Sequence, residues 1–105
     1  MRSNININKL KRNTIIIVET EETVFEIVVT GPKSGAVAVT GGIAFVRQTK
    51  ARLTTIIEKR RPMTFLFKNK KGKDDAFTTS RVLSATIFSS DRSWYYDAIE
   101  KKDKR

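Results

Sequence analysis

The sequence contains neither cysteine nor histidine among its 105 residues. This absence excludes disulfide bonds, thiol nucleophiles and imidazole bases. It also excludes nearly all zinc, copper, haem and iron–sulfur sites, because those sites need sulfur or imidazole ligands. Metals with oxygen ligands remain possible, but the acidic residues do not follow the spacing of an EF-hand loop. The sequence therefore predicts no cofactor and no metal site.

Glycine and proline are scarce, with five and two residues respectively. No apolar run approaches the ~20 residues that span a bilayer, and the first residues alternate asparagine with isoleucine instead of forming a secretory signal. With 39% apolar residues, the chain is too hydrophobic for a disordered protein and short enough for one small core. We expect a single domain over residues 1–105 that is cytoplasmic and has no membrane contact.

Short β-branched and aromatic segments recur along the chain, as is typical of strands. Seven strands are predicted, at residues 14–19, 23–29, 36–40, 43–47, 52–58, 63–68 and 81–89. Turn-forming residues separate the early strands, and the Gly41-Gly42 dipeptide suits a two-residue hairpin turn. Because the connections are short and no helices alternate with the strands, we expect a mainly β fold, a small antiparallel β-barrel or roll.

The residues after Ser89 show a different spacing. Trp94, Tyr95, Ala98 and Ile99 recur as on one face of a helix, and the lysines that follow suit the negative end of the helix dipole. The pattern predicts one C-terminal α-helix that packs Trp94 and Tyr95 against the barrel. Tyr96 lies off this face, where it could join a protein interface.

Basic residues outnumber acidic ones by 21 to 11, which gives a formal net charge of +10. The charge is unevenly distributed along the chain. Residues 14–32 contain four glutamates and no basic residue, whereas residues 59–73 contain seven basic residues and no acidic one. The seven are Lys59, Arg60, Arg61, Lys68, Lys70, Lys71 and Lys73.

These seven cations flank the predicted strand at 63–68, so we expect two clusters separated by roughly 20 Å. Arg47, Lys50 and Arg52 extend the basic surface if they face the same way. Phosphates attract such cations by ion pairing and by the release of condensed counterions, largely independently of sequence. The ten residues therefore predict contact with the backbone of DNA or RNA. The alternative is a solvated segment that only keeps the chain in solution.

No pair of residues offers both a nucleophile and an activating partner, so the sequence predicts a protein that is not an enzyme. A second hypothesis for its function is a structural or protein-interaction domain. Such a domain would form a homo-oligomer through an open strand edge or the C-terminal helix, with its acidic hairpin meeting a basic face of another copy.

Several short motifs occur in a fixed order: INKLKRNTIIIVET, TVFEIVV, VTGG, the ARL of residues 51–53, and TTSRV. This order resembles a group of small bacterial proteins without assigned function, which combine a leading turn, a hairpin, a Gly-Gly turn and a closing strand. The resemblance covers most of residues 7–87 and implies a compact β fold. None of its motifs carries chemistry, so it implies no site residues. The basic segment 59–73 and the Trp94 segment depart from the pattern.

Overall fold

The computed structural model describes residues 4–101, which form nine β-strands and two short 3-10 turns. The strands are β1 (Asn4–Ile5), β2 (Ile15–Thr20), β3 (Val24–Gly31), β4 (Ala36–Gly41), β5 (Phe45–Leu53), β6 (Ile57–Glu58), β7 (Pro62–Lys68), β8 (Asp74–Phe88) and β9 (Tyr95–Ile99). The 3-10 turns are Ile7–Lys9 and Pro32–Ser34.

Six strands form a closed antiparallel barrel in the order β2, β3, β4, β5, β7 and β8, and β8 pairs back onto β2. Closure removes the open edges that a curled sheet would otherwise expose. Strand β9 adds to β8, while β1 and β6 form a separate pair. The predicted mainly β fold and antiparallel barrel are confirmed.

Alternating side chains of the barrel strands fill its interior, as the period-2 pattern predicts. Phe25, Ile27 and Val29 of β3 are all buried, and so are Met63 and Phe65 of β7. A cluster of five phenylalanines lies on the inner face, with neighbouring ring centroids 5.2 to 6.4 Å apart. Its members are Phe25, Phe45, Phe65, Phe67 and Phe77. The aromatics between the basic clusters therefore belong to the core.

Three predicted strands have different bounds in the structure. The strand predicted at 81–89 is longer and begins at Asp74, because pairing with β7 extends it toward the turn. The segments 43–47 and 52–58 were expected to be separate strands, but β5 runs without interruption from Phe45 to Leu53. The polar residues between them have weak strand propensity on their own. Pairing with β4 along this stretch supplies the ladder hydrogen bonds that propensity does not. Only Ile57–Glu58 remains strand in the rest of the second segment.

The predicted C-terminal helix is wrong, because Tyr95–Ile99 is strand β9. The reason is the open edge of β8. Strand β7 covers β8 up to Arg81, and residues 59–61 continue along this edge to Val82. Residues 85–88 would be left unpaired there, and β9 pairs with them. A helix of about eight residues is marginal in water, whereas a strand at this edge gains ladder bonds at once. Within residues 4–101 no helix is long and apolar enough to cross a membrane.

Candidate nucleic-acid interface

The hairpin formed by β7 and β8 extends beyond the barrel. Pairing between β5 and β7 reaches Phe67, and pairing between β2 and β8 begins only at Val82. Residues 68–75 comprise the last strand pair of the hairpin, Lys68 with Asp74, and the turn between them. Within the part of the chain described, no third strand pairs with these residues. We call residues 68–75 the basic arm. The molecule is correspondingly elongated, with extents of 48, 27 and 21 Å.

A single asparagine organises the turn at the tip of the basic arm. The Asn69 carboxamide oxygen accepts hydrogen bonds from the backbone N–H groups of Lys71 and Lys73, at 2.9 and 3.1 Å. Gly72 adopts the left-handed conformation at φ 75°, which a glycine reaches without steric cost. These hydrogen bonds fix the backbone of the turn, and the lysine side chains around it are exposed to solvent.

The basic arm has one ion pair where it joins the barrel and unpaired charges at its tip. At the base, the Lys68 ammonium donates to the Asp74 carboxylate at 2.6 Å, and this hydrogen bond lowers the pKa of Asp74. At the tip, Lys70, Lys71 and Lys73 are exposed and form no ion pair with any residue of 4–101. The tip therefore presents three positive charges without a counterion from the described protein.

Further cations lie beside the base of the basic arm. Lys50 and Arg52 project from the outer face of β5, where Arg52 is directly opposite Leu66 of β7. Together with Lys68 they line a shallow depression of about 450 Å³, which Asp74 and Asp75 border on the β8 side. The structure thus brings these two β5 cations to the basic arm. Arg47 is exposed further along the same strand.

The other predicted cluster lies at the far end of β7. Lys59, Arg60 and Arg61 precede Pro62, so six residues of strand lie between Arg61 and Lys68, or roughly 20 Å. Their backbone is fixed against β8, because the N–H of Arg60 donates to the carbonyl of Val82 at 2.7 Å. Nine of the ten predicted residues therefore form two groups, six around the basic arm and three at the opposite end of β7, whereas Arg47 lies further along β5.

The early glutamates pair with cations outside the predicted set. Lys101 contacts Glu19 at 3.1 Å, Arg81 contacts Glu21 at 2.8 Å, and Arg92 contacts Glu26 at 3.1 Å. The Arg81 hydrogen bond lowers the pKa of Glu21 and raises that of Arg81. Three of the four hairpin glutamates are therefore paired locally, without drawing on the lysines of the basic arm.

The sequence pattern missed one exposed surface, because it was assigned to a helix. Trp94, Tyr95 and Tyr96 are exposed by 53%, 66% and 49%, so the prediction that Trp94 and Tyr95 are buried is wrong. We call these three residues the aromatic strip. The signal that pointed to it is the high strand propensity of three consecutive aromatics after the turn-rich Ser-Ser-Asp-Arg-Ser sequence.

The barrel also has a cavity of about 360 Å³ at one mouth, between Phe25, Phe77 and the hairpin tip at Ile43. Its floor is apolar and its rim carries threonine and serine hydroxyls. Among residues 4–101, no buried side-chain polar atom lacks a hydrogen-bond partner, and no three acidic residues converge as metal ligands.

No protein-family model, no curated protein and no solved structure matches this chain.

Proposed function

We propose that this chain is a non-enzymatic module that binds the backbone of nucleic acids with little sequence preference. The observation that carries this proposal is the basic arm, where three unpaired lysines stand at the tip of a hairpin that extends past the barrel. A projecting hairpin brings its charges close to a polyanion without steric interference from the rest of the protein.

The ligand is assigned to the phosphate backbone because of the type of cation at the tip. A lysine ammonium is a compact point charge, whereas sequence readout relies chiefly on planar side chains that bond two atoms of a base edge. The three tip residues are all lysines. Contacts of this kind position a protein on nucleic acid without specifying sequence.

Lys50 and Arg52 extend the proposed contact from the tip onto the barrel wall. They lie on the outer face of β5 beside the base of the basic arm, and both are exposed. A phosphate backbone that runs along the basic arm toward the barrel would therefore contact Lys50 and Arg52. Asp74 and Asp75 oppose this contact, and the ion pair between Lys68 and Asp74 reduces the effect of one of them.

A gel-retardation series tests the proposal, with single- and double-stranded DNA and RNA at low and high salt. The test variant reverses three charges at the tip: Lys70→Glu, Lys71→Glu and Lys73→Glu. The matched control reverses three exposed charges elsewhere: Lys11→Glu, Arg12→Glu and Lys33→Glu. Both variants change the net charge equally, so only the placement of the charge differs.

We expect wild type and control to bind at low salt, with affinity falling as salt rises. We expect the tip variant to lose most binding and to show a shallower salt dependence. The logarithmic slope should fall by about 0.9 on duplex DNA, and by about 0.7 on single strands, for each phosphate contact removed. Absence of wild-type binding even at low salt would overturn the proposal. Equal loss of affinity in the two variants would show that binding depends on the net charge of the protein and not on the basic arm.

Self-association is a second candidate function, favoured by the outer edge of β9. Within residues 4–101 no strand pairs with that edge, although β9 is a regular strand on its other side. An open edge can accept a strand from a second copy. Light scattering over a range of protein concentrations tests this candidate, and a constant monomer mass would exclude it.

A further inference from the structure

The aromatic strip is a concentrated exposed aromatic surface. Three consecutive large side chains each leave about half or more of their surface in solvent. Solvent exposure of so much aromatic surface is unfavourable, and such surfaces commonly mark binding sites.

The rings of the aromatic strip are already arranged as flat platforms. The Trp94 and Tyr96 rings stack with their centroids 5.9 Å apart and their planes inclined by 14°. On the other face of β9, the Tyr95 ring lies 5.4 Å from that of Phe88 at an inclination of 30°. The Arg92 guanidinium lies 5.5 Å from the Phe88 centroid.

A hydrogen-bonded turn holds the aromatic strip in place. The backbone N–H of Ser89 donates to the carbonyl of Trp94 at 3.0 Å, and the Asp91 carboxylate accepts bonds from Ser89 and Ser93. Beyond the turn, Tyr96 is paired across the sheet with the buried Ile87. The platforms are therefore formed before any ligand arrives, which lowers the entropic cost of binding.

The charge of the chain distinguishes between possible partners. A second copy brings another +10 to the interface, whereas a polyanion brings the opposite charge. Among polyanions, only one with unpaired bases offers flat rings to stack on indole and phenol side chains. In a duplex the bases are already stacked on one another.

We propose that the aromatic strip stacks the bases of single-stranded nucleic acid, so that the preferred ligand of this protein is a single strand. This inference rests on the proposed function and adds the strandedness of the ligand to it. Two acidic groups beside the aromatic strip, Asp91 and Asp97, oppose the approach of phosphates. The Asp91 carboxylate accepts hydrogen bonds from Ser89 and Ser93, and the Asp97 carboxylate accepts one from Thr86.

The aromatic strip and the basic arm lie at opposite ends of the same strand. Strand β8 has 15 residues, from Asp74 in the basic arm to Phe88 beside Tyr95, and spans roughly 46 Å at ~3.3 Å per residue. The two sites therefore contact different parts of a long ligand. Because of this separation, each site can be tested with its own variants.

Trp94 is the only tryptophan of the chain, so its fluorescence reports directly on the aromatic strip. Three probes are titrated into the wild-type protein at low salt: a 20-nucleotide oligothymidine, a DNA duplex of 20 base pairs, and inorganic polyphosphate. We expect strong quenching by the oligothymidine and little by the duplex or polyphosphate. Equal quenching by all three, or binding of the oligothymidine without quenching, would overturn base stacking by the aromatic strip.

Substitution of the stacked pair provides the second measurement. Trp94→Leu combined with Tyr96→Leu should weaken oligothymidine binding by roughly tenfold or more and leave duplex binding unchanged. The matched control is Ile43→Ala, which removes an apolar side chain that is 97% exposed at the barrel mouth. Equal loss for single strand and duplex would overturn the inference, as would no loss for either.

The outcomes separate this inference from the proposed function. If the tip variant loses binding while the aromatic variant binds single strands normally, the basic arm acts alone and base stacking fails. If neither nucleic acid binds wild type, both proposals fail. If Trp94 fluorescence changes with protein concentration alone and light scattering shows a dimer, a second copy covers the aromatic strip, which also overturns the inference.

Discussion

Glu21 and Arg81 contact each other through both their side chains and their backbones. The Arg81 guanidinium donates two hydrogen bonds to the Glu21 carboxylate, at 2.8 and 3.2 Å, and the Glu21 backbone N–H donates to the Arg81 carbonyl at 3.0 Å. The contact lies just past the register shift between β2 and β8, where the barrel closes. It joins the acidic hairpin to the closing strand and so keeps Glu21 away from the basic arm.

This contact predicts an altered titration of Glu21. Hydrogen bonds from Arg81 lower the pKa of Glu21. Arg81→Met should raise that pKa toward the ordinary value of a glutamate. The rise will be partial, because the backbone N–H of residue 81 still donates to the carboxylate. Carboxyl chemical shifts recorded by NMR across a pH series measure the change, and an unaltered Glu21 titration would contradict the prediction.

Asp91 gives a prediction about acid stability. Hydrogen bonds from Ser93 and Ser89 lower its pKa from 3.8 to about 2. A carboxyl group with a lowered folded-state pKa stabilises the fold above its unfolded pKa, and this contribution is lost as pH falls toward the folded value. Wild type should therefore lose thermal stability between about pH 4 and pH 2 relative to Asp91→Asn. Parallel melting curves in that pH window would contradict the assignment.

Phe45 is the position where loss of core packing should be largest. Its ring lies 5.2 to 6.4 Å from those of four other phenylalanines, and the side chain is 1% exposed. Phe45→Ala should lower the free energy of unfolding by about 3–5 kcal/mol, measured by urea denaturation. The control is Val46→Ala on the same strand, which is 76% exposed and should change it by about 0.5 kcal/mol or less.

Two glycines with positive φ should respond differently to alanine. A Cβ at Gly41 would lie 2.5 Å from the Val24 carbonyl oxygen and 2.8 Å from the Phe25 ring, whereas a Cβ at Gly72 meets no atom within 4 Å. Gly72→Ala should cost only the left-handed backbone penalty of about 1–2 kcal/mol. Gly41→Ala should cost clearly more, because the neighbouring backbone must also move. Equal losses of unfolding free energy in the two variants would contradict the predicted clash at Gly41.

The strands near the N-terminus were predictable because local and tertiary preferences agree there. The β-branched runs of β2 and β3 have high strand propensity, and their alternation matches the burial seen in the barrel. In β5 the two preferences disagree. Its polar centre does not specify a strand, and pairing with β4 determines its conformation.

The C-terminal segment shows a different reason for failure. The spacing of Trp94, Tyr95, Ala98 and Ile99 fits a helical face, and the same residues also have strong strand propensity at their aromatic positions. A periodicity over so few residues does not distinguish a helix from a strand. The unpaired edge of β8, which exists only after the barrel has formed, selects the strand.

The candidate site was predictable in composition and only partly in placement. The seven cations of residues 59–73 were evident from the sequence, and β7 separates them as expected. Their division into an exposed tip and a backbone-anchored turn depends on where strand pairing stops. The aromatic strip was absent from the prediction, because a helix would have turned two of its three rings inward.

By itself the sequence determined the chemistry that this chain lacks, the excess of positive charge and the antiparallel strands of high propensity. The tertiary structure alone decided which hairpin extends past the barrel, which glutamates form ion pairs and which aromatic side chains are exposed to solvent. The physical reason is that residue types and their periodicity are local properties. Strand edges, registers and ion pairs arise between segments far apart in the chain, such as Glu21 with Arg81 and β8 with β9.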